Sequence, residues 1–122
     1  MFLHLCSRIE VIHCDDVLKI LGDEVILQEG KSFIDCKLES ASTYQGAKQP
    51  NSAGVILNET INAKMKYGKD SFFLKFPLEY FIVRVHTSEG IFIVGSLDYP
   101  AVMTLTTDKT YINLTFKASS PA

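Results

Sequence analysis

The chain has 122 residues, 47% of them hydrophobic, with eight Phe, five Tyr and no Trp. That length is typical of one domain, and the apolar share fills a core without disulfide or metal staples, so one domain over residues 1–122 is the expectation. A formal net charge of −2 and a pI near 5.9 give no field that would steer a polyanion, which argues against nucleic acid as a partner.

The first residues, MFLHLC, are apolar, but no basic stretch precedes them and Ser7, Arg8 and Glu10 soon interrupt them. They are not expected to act as a signal peptide. No stretch approaches the roughly 18 apolar residues of a membrane-spanning helix, so no membrane partner is expected. Three cysteines, Cys6, Cys14 and Cys36, are an odd number that fits reduced thiols in a cytoplasmic setting better than a disulfide framework. On that reading the sequons at Asn58 and Asn113 carry no glycan.

Residues 2–14 alternate loosely, with Ile9 and Val11 on one face and Glu10 and Ile12 on the other, which predicts a strand or strand pair. Asp15 and Asp16 precede Val17, Leu18, Ile20 and Leu21, and Gly22 follows, the pattern of a short capped helix or tight connection. Val25 to Leu27 and Ser32 to Ser40 read as strands with a turn at Gly30. Thr43 to Gly54 collects Gln, Gly, Pro, Asn and Ser with almost no large apolar residue, and predicts a mobile surface loop.

Val55 to Tyr67 predicts a long strand, with Val55, Leu57, Glu59, Ile61, Ala63, Met65 and Tyr67 on its buried face. Ser71 to Tyr80 is dense in Phe, and Pro77 limits any helical turn there to Phe76 or earlier. Tyr80 to Ser96, YFIVRVHTSEGIFIVGS, is the clearest hairpin: two β-branched and aromatic runs around a polar turn ending in Gly90. A bend at Asp98, Tyr99 and Pro100 leads to a second hairpin, Ala101 to Thr106 and Tyr111 to Ala118, whose last strand points Ile112, Leu114, Phe116 and Ala118 inward. The sum is a mainly β domain, an antiparallel β-sandwich or partly open barrel with one or two short helices.

Candidate chemistry is sparse. His4, Cys6, His13 and Cys14 are the soft ligands, but His13 and Cys14 point to opposite faces of a strand and the spacing matches no zinc motif, so neither metal nor cofactor is expected. Carboxylates are scattered from Asp15 to Glu89 without a convergent acid and base pair. Glu59 stands out as a carboxylate on an apolar face, for which a strand edge or a cationic partner is the ordinary explanation. His86 is expected to titrate at the surface. No nucleophile elbow, phosphate loop or dinucleotide fingerprint is present, so an enzyme is the minority reading.

Around the hairpin, the long strand and break INAKMKYGKD, the segment FFLKFPLEYFIVRV, the turn HTSEG, the strand IFIVGS and the proline bend follow one another. Over roughly Glu24 to Ala118 this order resembles small tail-associated structural proteins of phages and prophages from Bacteroides-type gut bacteria. The resemblance implies a non-enzymatic virion or assembly component that associates with itself or with other virion proteins, located in the host cytoplasm during assembly and then in the particle. Edge strands, the Thr43 to Gly54 loop and the Phe72 to Phe81 region are the expected contact surfaces, with Tyr44, Gln45, Phe72, Phe73 and Tyr80 as candidate interface residues. The aromatic cluster has a second reading as a plug closing one end of the core. The alternative function is a stand-alone ligand-binding module for carbohydrate or another small ligand, using the polar face of Asn58, Thr60, Asn62 and Lys64.

Overall fold

Period-two alternation governs nearly the whole chain. The computed structural model describes residues 1–52, 54–68, 72–75 and 78–121. Its strands are β1 (Phe2–His13), β2 (Val17–Leu21), β3 (Glu24–Leu27), β4 (Ile34–Asp35), β5 (Ser42–Asn51), β6 (Gly54–Lys66), β7 (Leu78–Thr87), β8 (Gly90–Val94), β9 (Ala101–Thr107) and β10 (Tyr111–Pro121). Short 3-10 turns cover Cys14–Asp16 and Phe72–Lys75. The fold is mainly β and antiparallel, as expected.

Strand β1 organises the topology because its two halves pair with different neighbours. Phe2 to Cys6 pair with β5, and Cys6 to His13 pair with β7, with a register shift between Cys6 and Arg8. Such an irregularity bends a strand and increases its twist. The pairings then run from β5 to β6, β6 to β10, β10 to β9 and β9 to β7, and so return to β1. The sheet therefore closes on itself, the partly open barrel of the two architectures expected.

The opening lies beside β8. Strand β7 holds β9 only over Leu78 to Phe81 and β8 over Val83 to Thr87, so β8 and β9 diverge from a common neighbour. In the order of the large sheet β8 is terminal, with β7 as its single partner strand. Gly95 makes the exit from β8 possible: it has φ of 92°, and a Cβ there would sit 2.9 Å from the backbone nitrogen of Ala101.

Inside the barrel, Ile9, Val11, Ile61, Phe73, Phe81, Val83, Val85, Met103, Ile112, Leu114 and Phe116 are fully buried. On the outside of β1 and β7, Ile12 and Ile82 are covered by the β2–β3 hairpin through Val17, Ile20, Val25 and Leu27. Val17 to Leu21 is a strand, not a helix, because pairing with β3 across Gly22 (φ 63°) lays Val17 and Ile20 on that outer face, while Leu18 and Leu21 stay exposed.

Two further expectations change. The stretch expected as a loop, Thr43 to Gly54, is mostly strand, with Ala53 outside the described residues. Strand β5 runs over ten residues, Ser42–Asn51, paired with β6 along its length and with β1 over Ser42 to Gly46. Its inward positions are Ser42, Tyr44 and Gly46, all buried, and the Phe2 ring occupies the space that a side chain at Gly46 would need. In Ser32 to Ser40, only Ile34–Asp35 forms a strand, with an isolated bridge from Leu38 to Met65. The helical turn ahead of Pro77 is present as Phe72–Lys75, while Pro77 itself lies outside the described residues.

Candidate functional site

Alternation along β6 points Glu59 into the barrel with Ile61, Ala63 and Met65. The carboxylate meets a partner there. Tyr44 reaches across from β5 and its hydroxyl donates a hydrogen bond to Oε2 of Glu59. Burial pushes the Glu59 carboxyl above its ordinary range, against the opposing effect of the Tyr44 hydrogen bond. Burial, the hydrogen bond to Glu59 and the Glu59 charge push the Tyr44 hydroxyl far above its own range, so Tyr44 keeps its proton and acts as donor.

Aromatic rings wall this end of the interior. Phe2 meets Tyr44 edge-on at 5.0 Å, and His4 stacks on Phe92 at 5.3 Å and on Tyr44 at 6.1 Å. On the other side of Glu59 the gap beside β8 holds a cavity of about 200 Å³. Ile93, Gly95, Ser96 and Tyr99 line it from β8 and the following turn, and Ala118 and Ser120 line it from the end of β10.

A second polar cluster sits outside the barrel, where β1 and β7 are adjacent. Glu10 is 7% exposed, its Oε1 lies 3.0 Å from Nε of Arg84 and 2.6 Å from Nε2 of His86, and its Oε2 lies 3.4 Å from Arg8. Burial alone would raise the Glu10 carboxyl, but hydrogen bonds from Arg84 and His86 and the charges of Arg84 and Arg8 outweigh it and hold the group below its ordinary range. The Arg84 guanidinium stacks on Phe33 at 4.0 Å. His86 is therefore not the free surface imidazole expected, since cross-strand pairing sets it against Glu10.

His13 performs a third, local task. Its Nδ1 accepts a hydrogen bond from the backbone N–H of Asp15, so the proton resides on Nε2, which donates to Glu79 at 3.0 Å. The cap of the Cys14–Asp16 turn is thus His13, and the aspartates, expected ahead of a short helix over Val17 to Leu21, lie within the turn itself. Burial pushes the thiols up, Cys14 to about 11, which leaves none of the three as an activated thiolate.

The candidate interface residues separate into two groups. Tyr44 and Phe73 are 4% and 1% exposed, so as surface contacts both are corrected: Tyr44 belongs to the interior hydrogen bond, and Phe73 packs into the core as the plug reading required. Gln45 and Tyr80 are exposed. The Phe72 backbone belongs to the 3-10 turn, and its side chain lies outside the described residues. The polar face of β6 is engaged within the sheet: Asn58 accepts from Ser119 and donates to Gln49, Asn62 accepts from Thr115, and Lys64 covers the Tyr111 ring.

Chemically, Glu59 is one acid with one donor, and among the described residues of the cavity lining no second carboxylate or imidazole stands beside it. Among the described residues no group of three or more His, Cys, Asp or Glu could hold a metal ion, and no helix is long and apolar enough to cross a membrane. Comparison with known protein families, curated proteins and solved structures finds no match to this chain.

Proposed function

We infer that the protein is a non-enzymatic structural or assembly component of a phage-like tail or prophage particle, acting through association with copies of itself or with neighbouring virion proteins. The observation that carries this reading is on β1. Leu3 and Leu5 stand two residues apart on the outward face of a strand and are 61% and 66% exposed, while the intervening His4 points in. Leu5 also lines a shallow groove with Ser7, Ala41, Thr87 and Ser88. Leucines on a paired strand cost solubility unless something covers them. The free edge of β8 adds a row of backbone groups open to pairing, with Ile91 half exposed on it.

The reading places the protein in the host cytoplasm while particles assemble and in the particle afterwards, with no cofactor and no nucleic-acid contact. Mass spectrometry of particles purified after prophage induction of the source cells tests it. The chain is expected at a fixed ratio to the other particle proteins. Its confinement to the soluble fraction, with complete particles present, would overturn the assignment.

A further inference from the structure

The Glu59 cavity has properties that the assembly reading does not use. Its floor is a carboxylate 9% exposed, with Oε2 engaged by the Tyr44 hydroxyl and Oε1 bonded to no group among the described residues. The remaining lining residues are Ile93, Gly95, Ser96, Tyr99, Ala118 and Ser120, with no Lys or Arg among the described residues there. The opening exists because β8 and the end of β10 do not pair, so the carboxylate is reached from outside without unfolding any strand. About 200 Å³ gives room for a small organic group.

These features select one chemistry. An anion would meet Glu59 with no compensating cation. A neutral hydroxyl can donate to Oε1 and accept from a seryl hydroxyl, but without charge assistance. A protonated amine gains a charge-assisted bond to Oε1 and has two further donors for the seryl oxygens, of which Ser96 Oγ already accepts from the Tyr99 N–H. We propose that this cavity is a binding site for a small primary ammonium ligand, held at Oε1 of Glu59 between β8 and the end of β10. The site is independent of Leu3 and Leu5, so it stands or falls separately from the assembly reading.

The test is an NMR titration of the full chain with ethylammonium chloride at constant ionic strength and neutral pH, with ethanol as the neutral control. Saturable shifts are expected at the amides of Gly95, Ser96 and Ser120, with ethanol producing none that saturate. Glu59→Gln retains an acceptor for Tyr44 but loses the charge, and should weaken binding by at least about tenfold, the effect of losing one charge-assisted hydrogen bond. Ser120→Leu narrows the cavity with Glu59 intact and should also abolish the shifts, which keeps the test decisive if the Gln variant folds poorly. Unsaturable shifts, equal saturation by ethanol, or undiminished binding in either folded variant would overturn the proposal.

Discussion

The Tyr44 hydroxyl donates to Oε2 of Glu59 inside the barrel, joining a strand of polar and small residues to the long apolar strand beside it. A carboxylate in an apolar interior is stable only when hydrogen-bonded or protonated, and this contact supplies the hydrogen bond. Tyr44→Phe removes the donor while keeping the ring between Phe2, His4 and Phe92. The variant should lose about 1–3 kcal/mol of unfolding free energy by urea titration, the cost of leaving a buried polar group unsatisfied. In Glu59→Leu, Tyr44→Phe should cost far less, because the acceptor is already gone.

The two buried carboxylates should give opposite pH dependence. Glu59 is raised by burial, so between the ordinary carboxylate range and its folded value the folded state holds a proton that the unfolded chain releases. Its contribution favours folding at and below the ordinary carboxylate range and is lost as pH rises from that range through its folded value. Glu10 is lowered, because hydrogen bonds from Arg84 and His86 outweigh its burial. Its contribution is present above the ordinary range and is lost as pH falls through its folded value. Stability curves of Glu59→Gln and Glu10→Gln against pH should differ from the native curve with opposite slopes, and parallel curves would contradict both assignments.

Glu10→Ala should destabilise the fold by about 2 kcal/mol, since it deprives Arg84 and His86 of their shared acceptor at a site largely closed to water. Thermal unfolding measures the loss. An effect near zero would mean that the cluster behaves as an ordinary exposed ion pair.

Gly95→Ala tests the geometry of the barrel opening. Its φ of 92° is strained for any L side chain, and the new Cβ would press on the backbone of Ala101 at 2.9 Å and of Phe81 at 3.2 Å. Gly90→Ala has a similar positive φ but open space around it. The Gly95 variant should lose more stability in urea than the Gly90 variant, by about 1 kcal/mol or more given that backbone strain is common to both.

The strands that the sequence displays most plainly are those whose inward residues are large. In β10, Ile112, Leu114 and Phe116 alternate with Asn113, Thr115 and Lys117, and burial follows that alternation. Strand β5 has the same period, but its inward positions are Ser42, Tyr44 and Gly46, and the volume at Gly46 is filled by Phe2 from another strand. A pattern built on side-chain size therefore reads it as a loop. Val17 to Leu21 fails differently, because Val17 and Ile20 face a second, external core that exists only once β1 and β7 are adjacent, and Leu18 and Leu21 are left exposed. Glu59 was visible as a carboxylate on an apolar face. Its partner was not, since Tyr44 lay in the stretch read as a loop and the cavity depends on the unpaired edge of β8.

Phe116 links the two halves of the interior, packing edge-on against Phe81 at 6.3 Å with no exposure. Phe116→Ala should cost about 3–5 kcal/mol, as expected for an aromatic removed from a closed core. Calorimetry would show a lower melting temperature in a single transition, because both rings belong to one cooperative unit.

The proposed role of this barrel is association with copies or neighbours through the outer face of β1. Light-scattering mass of the purified chain across micromolar concentrations addresses it directly. A defined oligomer is expected, dissociating when Leu3→Lys and Leu5→Lys are combined, with the β spectrum unchanged because both side chains are exposed. A chain that stays monomeric at every concentration, or an oligomer indifferent to both substitutions, would contradict it.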